Sequence, residues 1–280
     1  RFNPVLPMQG KGSANWRNHR KLALFDSQVA ILGGQNLGLA YMGREPSNRR
    51  FRDCSFRVAG PAAAALEQVF IADWCQATNA DPAAFADVLR SQPNPQGEAE
   101  VEVIPSGPDC VSDPLWEKYV ALIENARTSL TIVTPYFIPD QALFRLLLAA
   151  ATKGRRVRVL VPRRSDHRLL DFARRWYLRQ LKEAGAEILF FKPDVLHAKL
   201  LVVDDERFVM GSANLDMRSL FLNYEIAAVV RDPAALAEVQ AFIASLAAES
   251  SPYSEDLYRR SRTWSGRALE ALSKALAPLL

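Results

Sequence analysis

An internal repeat constrains the fold of this chain more than any other feature of its sequence. The segment HRKLALFDSQVAILGGQN (19–36) aligns without a gap with HAKLLVVDDERFVMGSAN (197–214), at an offset of 178 residues. Histidine, lysine, aspartate, glycine and asparagine recur at five matching positions of the 18. Because each copy of a repeat is a structural unit, the sequence predicts two similar halves related by a pseudo-twofold axis.

The second half is predicted to extend over residues 100–280. Its apolar runs and helical patterns alternate along the chain. Strands are expected at 130–136, 156–161, 187–191, 197–204, 207–212 and 224–230, and helices at 113–127, 140–153 and 233–247. This order predicts an α/β fold, in which each half is a mixed, mainly parallel sheet flanked by helices.

The first half is predicted to extend over residues 1–99 and to be incomplete. It offers a hairpin at 19–34, a strand near 55–60 and a helix from Pro61, followed by a linker at 91–99. The second half has 96 residues between Val101 and His197, whereas only 18 residues precede His19. If the halves are equivalent, roughly 80 residues are missing from the front of the first half.

The composition is that of a soluble globular protein, with 49% apolar and 24% charged residues. No run of 18 apolar residues predicts a membrane span. The three cysteines, Cys54, Cys75 and Cys110, are odd in number and form no CxxC pair. This usage fits a reducing compartment and argues against a disulfide framework or a zinc site.

Positive charge is concentrated in one stretch, although the net charge of the whole chain is only +4. Residues 153–182 contain eleven Lys or Arg against two Asp, and most of this stretch is predicted to form a helix opened by Ser165 or Asp166. The stretch predicts an anionic partner, either a phospholipid surface or a nucleic acid; the alternative is a solvated helix face. Trp176 and Tyr177 within it suit either base stacking or a lipid interface.

The repeated motif presents groups that suit a phosphodiester. Residues two apart in a strand face the same way, so each His-x-Lys pair projects from one side of a sheet. The lysines and the following asparagines can donate hydrogen bonds to phosphate oxygens. One imidazole can attack phosphorus, and the other can protonate the departing alkoxide. No metal is needed, and a single such motif would indicate only a structural histidine. The predicted phosphate-binding residues are Lys21, Asn36, Lys199 and Asn214.

Carboxylates complete the predicted site. The predicted catalytic set is His19, Lys21, Asp26, His197, Lys199 and Asp204. Within it, Asp26 and Asp204 lie an odd number of positions from the lysines, so they are expected to face away and to play a structural part. Each imidazole also needs an orienting partner. We predict Glu225 for His197 and, because the repeat breaks at Ser47, Asp53 for His19.

These motifs resemble the signature of the phospholipase D superfamily, HxKxxxxD followed by GGxN or GSxN, in two copies. NHRKLALFD, ILGGQN, FRDCSFRVAGPA, TPYFIPD, LHAKLLVVDD and GSANLDMRSLFLNYE also resemble, in order, segments of bacterial cardiolipin synthases. The resemblance covers nearly the whole chain. It implies a nucleophile at His19 and a general acid at His197, without a cofactor.

The resemblance also implies an activity. It suggests phosphatidyl transfer between phospholipids, with phosphatidylglycerol as donor and acceptor, at the cytoplasmic face of the bacterial cell membrane and with no nucleic-acid partner. A phospholipase D hydrolase would use water in place of the acceptor lipid, and a nuclease would use DNA in place of the donor. These alternatives share the phosphohistidine and stay open.

The C-terminal stretch is predicted to form an amphipathic helix. Trp264, Leu269, Leu272 and Leu276 fall on one face, with Arg267 and Lys274 off it. Such a helix could lie on a membrane surface or pack against the body of the protein.

Overall fold

The computed structural model describes residues 16–44, 50–90, 93–193 and 195–254. Within these ranges the chain forms thirteen strands and seven α-helices. The strands are β1 (Leu22–Phe25), β2 (Val29–Gly33), β3 (Ser55–Ala59), β4 (Glu100–Ser106), β5 (Ser129–Val133), β6 (Phe137–Ile138), β7 (Arg156–Pro162), β8 (Glu187–Phe191), β9 (Leu200–Val203), β10 (Arg207–Gly211), β11 (Leu215–Asp216), β12 (Glu225–Arg231) and β13 (Ser250–Pro252). The helices are α1 (Pro61–Thr78), α2 (Ala86–Arg90), α3 (Pro114–Asn125), α4 (Gln141–Thr152), α5 (Arg168–Glu183), α6 (Met217–Phe221) and α7 (Pro233–Ala248). The predicted C-terminal amphipathic helix lies outside the described residues.

Local signals account for most helix ends. The Asp140 carboxylate caps α4 by accepting hydrogen bonds from the backbone N–H groups of Ala142 and Leu143, as expected. Asp232 caps α7 in the same way, with Pro233 at the first helical position. Gly185, which has a φ of 98°, follows α5 in the left-handed region that favours glycine. Helix α5 begins at Arg168, two or three residues later than predicted, because Ser165 and Asp166 belong to the loop before it.

The large sheet confirms the predicted α/β class. Its eight strands follow the order β13-β8-β7-β5-β9-β10-β12-β4. The predicted predominance of parallel pairs is wrong, since only β5–β7 and β7–β8 are parallel and the other five neighbouring pairs are antiparallel. A short turn at residues 204–206 joins β9 to β10 and can connect only antiparallel strands, whereas the segment between β10 and β12 is longer and contains β11 and α6.

A smaller sheet in the order β1-β2-β3 belongs to the first half, together with α1 and α2. It has the hairpin-plus-strand arrangement of β9, β10 and β12. The two hairpin turns also match, because Asp26 and Ser27 in one and Asp204 and Asp205 in the other have φ between 51° and 56°. Aspartate tolerates this left-handed conformation better than most residues, which explains its place in both motifs.

Two apolar cores cover the two faces of the large sheet. One packs α3, α4 and α5 against the sheet, with Leu130, Val159 and Leu178 fully buried. The other packs α1, α7 and the small sheet against the opposite face, through Leu32, Leu66 and Leu196. The second of these cores therefore contains residues of both halves, and the motif segments lie at the boundary between the halves.

Candidate active site

Each His-x-Lys segment lies in an extended stretch directly before a strand. Strands β1 and β9 begin one residue after Lys21 and Lys199, so the prediction that β9 includes His197 is wrong by three residues. In the second motif the two side chains share one side, as expected, because Lys199 Nζ lies 2.8 Å from His197 Nδ1. Lys21 Nζ donates to the backbone oxygen of His19 at 2.8 Å, and Lys199 Nζ donates to that of His197 at 2.5 Å.

The two segments are held by backbone pairing with the opposite half. The residue before His19 forms a parallel bridge with Tyr224, and the residue before His197 forms one with Arg52. His19 N donates to Tyr224 O at 2.9 Å, and His197 N donates to Arg52 O at 2.7 Å. The first motif is thus attached to the segment just before β12, and the second motif to the segment just before β3.

This pairing exchanges the carboxylates relative to our prediction. His19 Nδ1 lies 2.8 Å from Glu225 Oε1, and His197 Nδ1 lies 2.7 Å from Asp53 Oδ2. We expected Glu225 at His197 and Asp53 at His19. The exchange follows from the bridges, because Tyr224 and Arg52 immediately precede the two carboxylates and each is bonded to the opposite motif.

Asp53 occupies the position in the first half that Glu225 has in the second. Gly33 pairs with Ser55, and its repeat counterpart Gly211 pairs with Ala227, each two residues after a carboxylate. A Cβ on either glycine would lie 2.3 to 2.5 Å from the neighbouring strand, so only glycine fits. The repeat breaks in sequence because Asn36 and Asp53 are 17 positions apart, whereas Asn214 and Glu225 are 11 apart.

Both imidazoles line a single cleft of about 340 Å³. Asn36 and Asn214 line the same cleft, so four of the predicted site residues meet there. Asn214 is buried, and its Oδ1 has no hydrogen-bond partner within the described ranges. The side-chain amide can turn so that Nδ2 faces the cleft instead. Lys21 and Lys199 are not among the residues that line the cleft.

Sequence reasoning missed several residues of the cleft. Its lining also includes Arg17, Tyr41, Tyr136, Asp166, His167, Leu170, Asp216, Arg218, Ser219 and Asn223. His167 was the most accessible signal, because the chain has only three histidines and all of them line this cleft. Tyr41 packs edge-on against His197, with ring centroids 5.2 Å apart, and accepts a hydrogen bond from Asn36.

Burial sets the electrostatics of the site. It lowers the pKa of His197, and it lowers the pKa of Lys21 and of Lys199 to about 8 each. Burial alone would raise the pKa of Glu225, but the nearby His19 and hydrogen bonds from His19 and Ser212 hold that pKa below its ordinary value. Glu225 is therefore a buried anion in contact with His19. Ser212 Oγ donates to its Oε2 at 2.5 Å.

Asp26 and Asp204 do not join the cleft, which corrects their inclusion in a catalytic set. Asp204 accepts hydrogen bonds from the backbone N–H groups of Arg127, Thr128 and Ser129 at the start of β5. Although burial opposes it, these bonds lower the pKa of Asp204. Asp26 makes no hydrogen bond or ion pair with any described residue. The turn geometry places both side chains at the far end of their hairpins.

The basic stretch divides into structural and exposed residues. Arg174 is buried, forms an ion pair with Asp171 at 2.7 Å and donates to Pro162 O at 2.7 Å, so it belongs to the core. Trp176 and Tyr177 pack against Phe144 and the same core. Arg163, Arg164 and Arg168 are exposed and line a cavity of about 600 Å³ beside the cleft.

Two further features concern metals and membranes. Among the described residues, no group of three His, Cys, Asp or Glu side chains is close enough to hold a metal ion. None of the helices in the described ranges combines the length and the hydropathy of a membrane-spanning helix.

Comparisons with known proteins agree with the fold. The family described as "Cardiolipin synthase, PLD-like domain" matches residues 119–247. The structure of phosphatidylserine synthase from Haemophilus influenzae superposes with a TM-score of 0.68 at 16% identity, covering 95% of this chain and 71% of the other. Residues 119–247 therefore match a phospholipase D-like domain, and the likeness in fold extends over nearly the whole chain.

The curated relatives of the chain are named as cardiolipin synthases. The chain is 33% identical over 266 residues to the major cardiolipin synthase ClsA of Bacillus subtilis, and 34% identical over 280 residues to a cardiolipin synthase of Halalkalibacterium halodurans. These alignments cover 95% and 100% of this chain and 55% of each relative. The chain thus resembles bacterial cardiolipin synthases and spans about half the length of the curated relatives it matches.

Proposed function

We propose that the protein transfers a phosphatidyl group from one phospholipid to another, with phosphatidylglycerol as donor and acceptor and glycerol as the released product. The observation that carries this proposal is the pair of crossed imidazole–carboxylate contacts on one cleft. The relatives named cardiolipin synthase support the choice of substrates.

His19 is proposed as the nucleophile. Its side chain is 29% exposed, against 7% for His197, so it is the more accessible imidazole. Glu225 engages Nδ1 and leaves Nε2 for the cleft. Nε2 would attack phosphorus of the donor, forming a P–N bond as the bond from phosphorus to the glycerol oxygen breaks. The buried Glu225 anion would stabilise the positive charge that develops on His19.

His197 is proposed as the general acid and then the general base. Its proton would pass to the departing glycerol oxygen, and the neutral imidazole would later accept the proton of the acceptor hydroxyl. Burial lowers the pKa of His197. An anionic phosphodiester bound beside it would raise that pKa again, because opposite charges favour the protonated form.

The remaining motif residues are proposed to bind the phosphate. Asn36 and Asn214 line the cleft and can each direct an amide donor towards it. Lys21 uses one N–H group on the His19 carbonyl and retains two more donors. Lys199 Nζ contacts the His197 carbonyl at 2.5 Å and His197 Nδ1 at 2.8 Å, so it retains one. Their positive charges would offset the negative charge that builds up on the phosphate oxygens.

A lipid is favoured over a nucleic acid by the surface next to the cleft. Leu37 and Leu39 are 94% and 90% exposed, in the loop between the cleft residues Asn36 and Tyr41. Exposed leucines at the mouth of a site fit acyl chains better than phosphate-sugar backbones. Trp176 and Tyr177, which were expected to serve either base stacking or a lipid interface, pack against the core and favour neither ligand.

We further propose that the protein works on an anionic phospholipid surface, at the cytoplasmic face of a bacterial membrane. The exposed Arg163, Arg164 and Arg168 would contact the headgroups. Reversing these three charges to glutamate should weaken binding to phosphatidylglycerol vesicles by about 1 kcal/mol per charge. Vesicle sedimentation measures this, and unchanged binding would assign the three arginines to a solvated face.

The test of the activity compares three products. The intact protein is incubated with phosphatidylglycerol vesicles and, separately, with single-stranded DNA. Cardiolipin and glycerol are expected, with less phosphatidic acid and no DNA fragments. Phosphatidic acid as the main lipid product would indicate a hydrolase, and DNA cleavage in the absence of lipid turnover would indicate a nuclease.

A further inference from the structure

The third histidine of the chain lines the same cleft as the two histidines of the repeat. His167 belongs to the loop between β7 and α5, which has no part in the repeated motif. Asp166, the residue before it, also lines the cleft, as does Tyr136 from the connection between β5 and β6. This group forms a second polar wall of the cleft that the proposed phosphohistidine chemistry does not use.

The three side chains contact one another. Tyr136 Oη donates a hydrogen bond to Asp166 Oδ1 at 2.5 Å. The His167 ring packs edge-on against the Tyr136 ring, with centroids 5.6 Å apart. Asp166 is exposed, and its Oδ2 makes no hydrogen bond with any described residue. A carboxylate with one oxygen fixed and the other open to a cleft suits a ligand that carries hydroxyl groups.

Hydrogen bonds with the start of α5 hold the loop that carries Asp166 and His167. Buried Arg174 donates to Pro162 O at 2.7 Å and to Pro135 O at 3.5 Å, so it links the two segments that carry Asp166 and Tyr136. Asp171 accepts a hydrogen bond from Ser165 N at 3.0 Å and pairs with Arg174. The polar wall is therefore preorganised and needs no ordering when a ligand binds.

We propose that Asp166 and His167, held by Tyr136, form the subsite that binds the hydroxyl groups of the acceptor headgroup. This inference rests on the proposed phosphatidyl transfer. One hydroxyl of the acceptor glycerol would donate to Asp166 or His167. The neighbouring hydroxyl would then be held next to phosphorus, which raises its effective concentration over that of water.

The chemical step balances without any further reactant. The held hydroxyl oxygen attacks phosphorus of the phosphatidyl-His19 intermediate and forms the new P–O bond. The P–N bond breaks and its electron pair returns to His19, while the hydroxyl proton passes to His197. Asp166 accepts a hydrogen bond from the other hydroxyl and takes no proton. The subsite thus decides which nucleophile completes the cycle, water or a polyol.

The experiment separates donor cleavage from the choice of acceptor. The donor is dihexanoyl phosphatidyl-p-nitrophenol, whose p-nitrophenolate release reports the first step. The acceptors are glycerol and 1-propanol, which lacks the second hydroxyl. The ratio of transfer to hydrolysis is measured for wild type, Asp166→Asn and Tyr136→Phe. Asp87→Asn, an acid-to-amide change on the exposed surface of α2, is the matched control.

Wild type should prefer glycerol to 1-propanol. Asp166→Asn should lower the transfer ratio for glycerol about tenfold, as expected for one lost hydrogen bond to a charged group. The ratio for 1-propanol and the release of p-nitrophenolate should change less than about twofold. Tyr136→Phe should give a smaller loss in the same direction, and it serves as the test if Asp166→Asn fails to fold.

Two outcomes would overturn the subsite. One is an unchanged glycerol ratio in Asp166→Asn, and the other is loss of p-nitrophenolate release in that variant, which would place Asp166 in the donor step. Absence of release in wild type would instead contradict the proposed function. Calorimetric titration of dihexanoyl phosphatidylglycerol then decides the subsite directly: about tenfold weaker binding to Asp166→Asn supports it, and equal affinity refutes it.

Discussion

The two motif hairpins carry the same residues, but their surroundings differ. In the second half, His197, Lys199 and Asn214 are all buried in an eight-stranded sheet. In the first half, His19 is partly exposed and Asn36 is exposed, beside a sheet that has three strands within the described ranges. Besides the geometry of the hairpins, the halves share the features made across their interface, namely the backbone bridges and the exchanged carboxylates.

The features that differ are local to each half. The residue between His and Lys is Arg20 in one motif and the fully buried Ala198 in the other. Arg20 donates to Glu225 O at 3.0 Å and to Ser106 O at 3.1 Å, so it fastens the first motif to the edge of the large sheet. The comparison indicates that the interface maintains the matched chemistry, while each hairpin is stabilised by its own neighbours.

The largest expected effect tests whether the matched histidines have different tasks. His19→Ala and His197→Ala should each lower kcat for phosphatidylglycerol by about a thousandfold or more, because the imidazoles act in sequence. With a p-nitrophenyl donor, whose leaving group needs no proton, His197→Ala should keep a burst of p-nitrophenolate and His19→Ala should not. Substantial turnover of phosphatidylglycerol in either variant would contradict the paired mechanism.

The exchange of carboxylates predicts the next largest effect. Asp53→Asn and Glu225→Gln should each lower kcat about 100-fold, because an amide no longer fixes the imidazole orientation and tautomer. The p-nitrophenyl donor should restore the release of the leaving group in Asp53→Asn, because Asp53 orients His197. It should not restore it in Glu225→Gln, because Glu225 orients His19. The opposite pattern of rescue would mean that each carboxylate serves the histidine of its own half.

The two lysines predict a shared pH dependence. Both pKa values are lowered to about 8 by burial, so the ammonium groups are present below that pH and are lost as the pH rises through it. Since kcat/KM reports the free enzyme, it should fall above pH 8 with the p-nitrophenyl donor. With phosphatidylglycerol as the donor, kcat/KM should already fall at a lower pH. His197 must then be protonated, and burial lowers its pKa. If kcat/KM for the p-nitrophenyl donor stays constant beyond pH 9.5, the proposed binding of phosphate by the two charged lysines is contradicted.

The smallest effect concerns stability at the hairpin turns. Asp204→Ala should lower the free energy of unfolding by about 2 kcal/mol, because three backbone N–H groups lose their acceptor. Asp26→Ala should change it by less than about 0.5 kcal/mol. The pKa of Asp204 is lowered in the fold, so its contribution is present above the unfolded-state pKa and is lost as the pH falls through the folded one. Urea denaturation at pH 7 and pH 3 measures both differences, and equal losses in the two variants would show that the turns are equivalent.

The sequence alone determined the repeat, the α/β class and most element bounds. It placed α4 through the Asp140 cap, β8 at 187–191 and α7 at 233–248 to within a residue. These features depend on hydrogen bonds and apolar periodicity between residues a few positions apart. The sequence also indicated His19, Lys21, Asn36 and their counterparts, since the register of a gapless repeat identifies matching positions.

Only the tertiary structure decided which groups face each other. Glu225 meets a histidine 206 positions away, and Asp53 meets one 144 positions away. The sequence does not distinguish these pairs from the uncrossed ones, because both histidines lie in matching motifs and each carboxylate lies two residues before the partner of a motif glycine. The burial of Arg174 and the entry of His167 into the cleft were settled in the same way. They depend on how α5 and its loop pack against β5 and β6, and packing between distant segments is fixed by the shape of the assembled core.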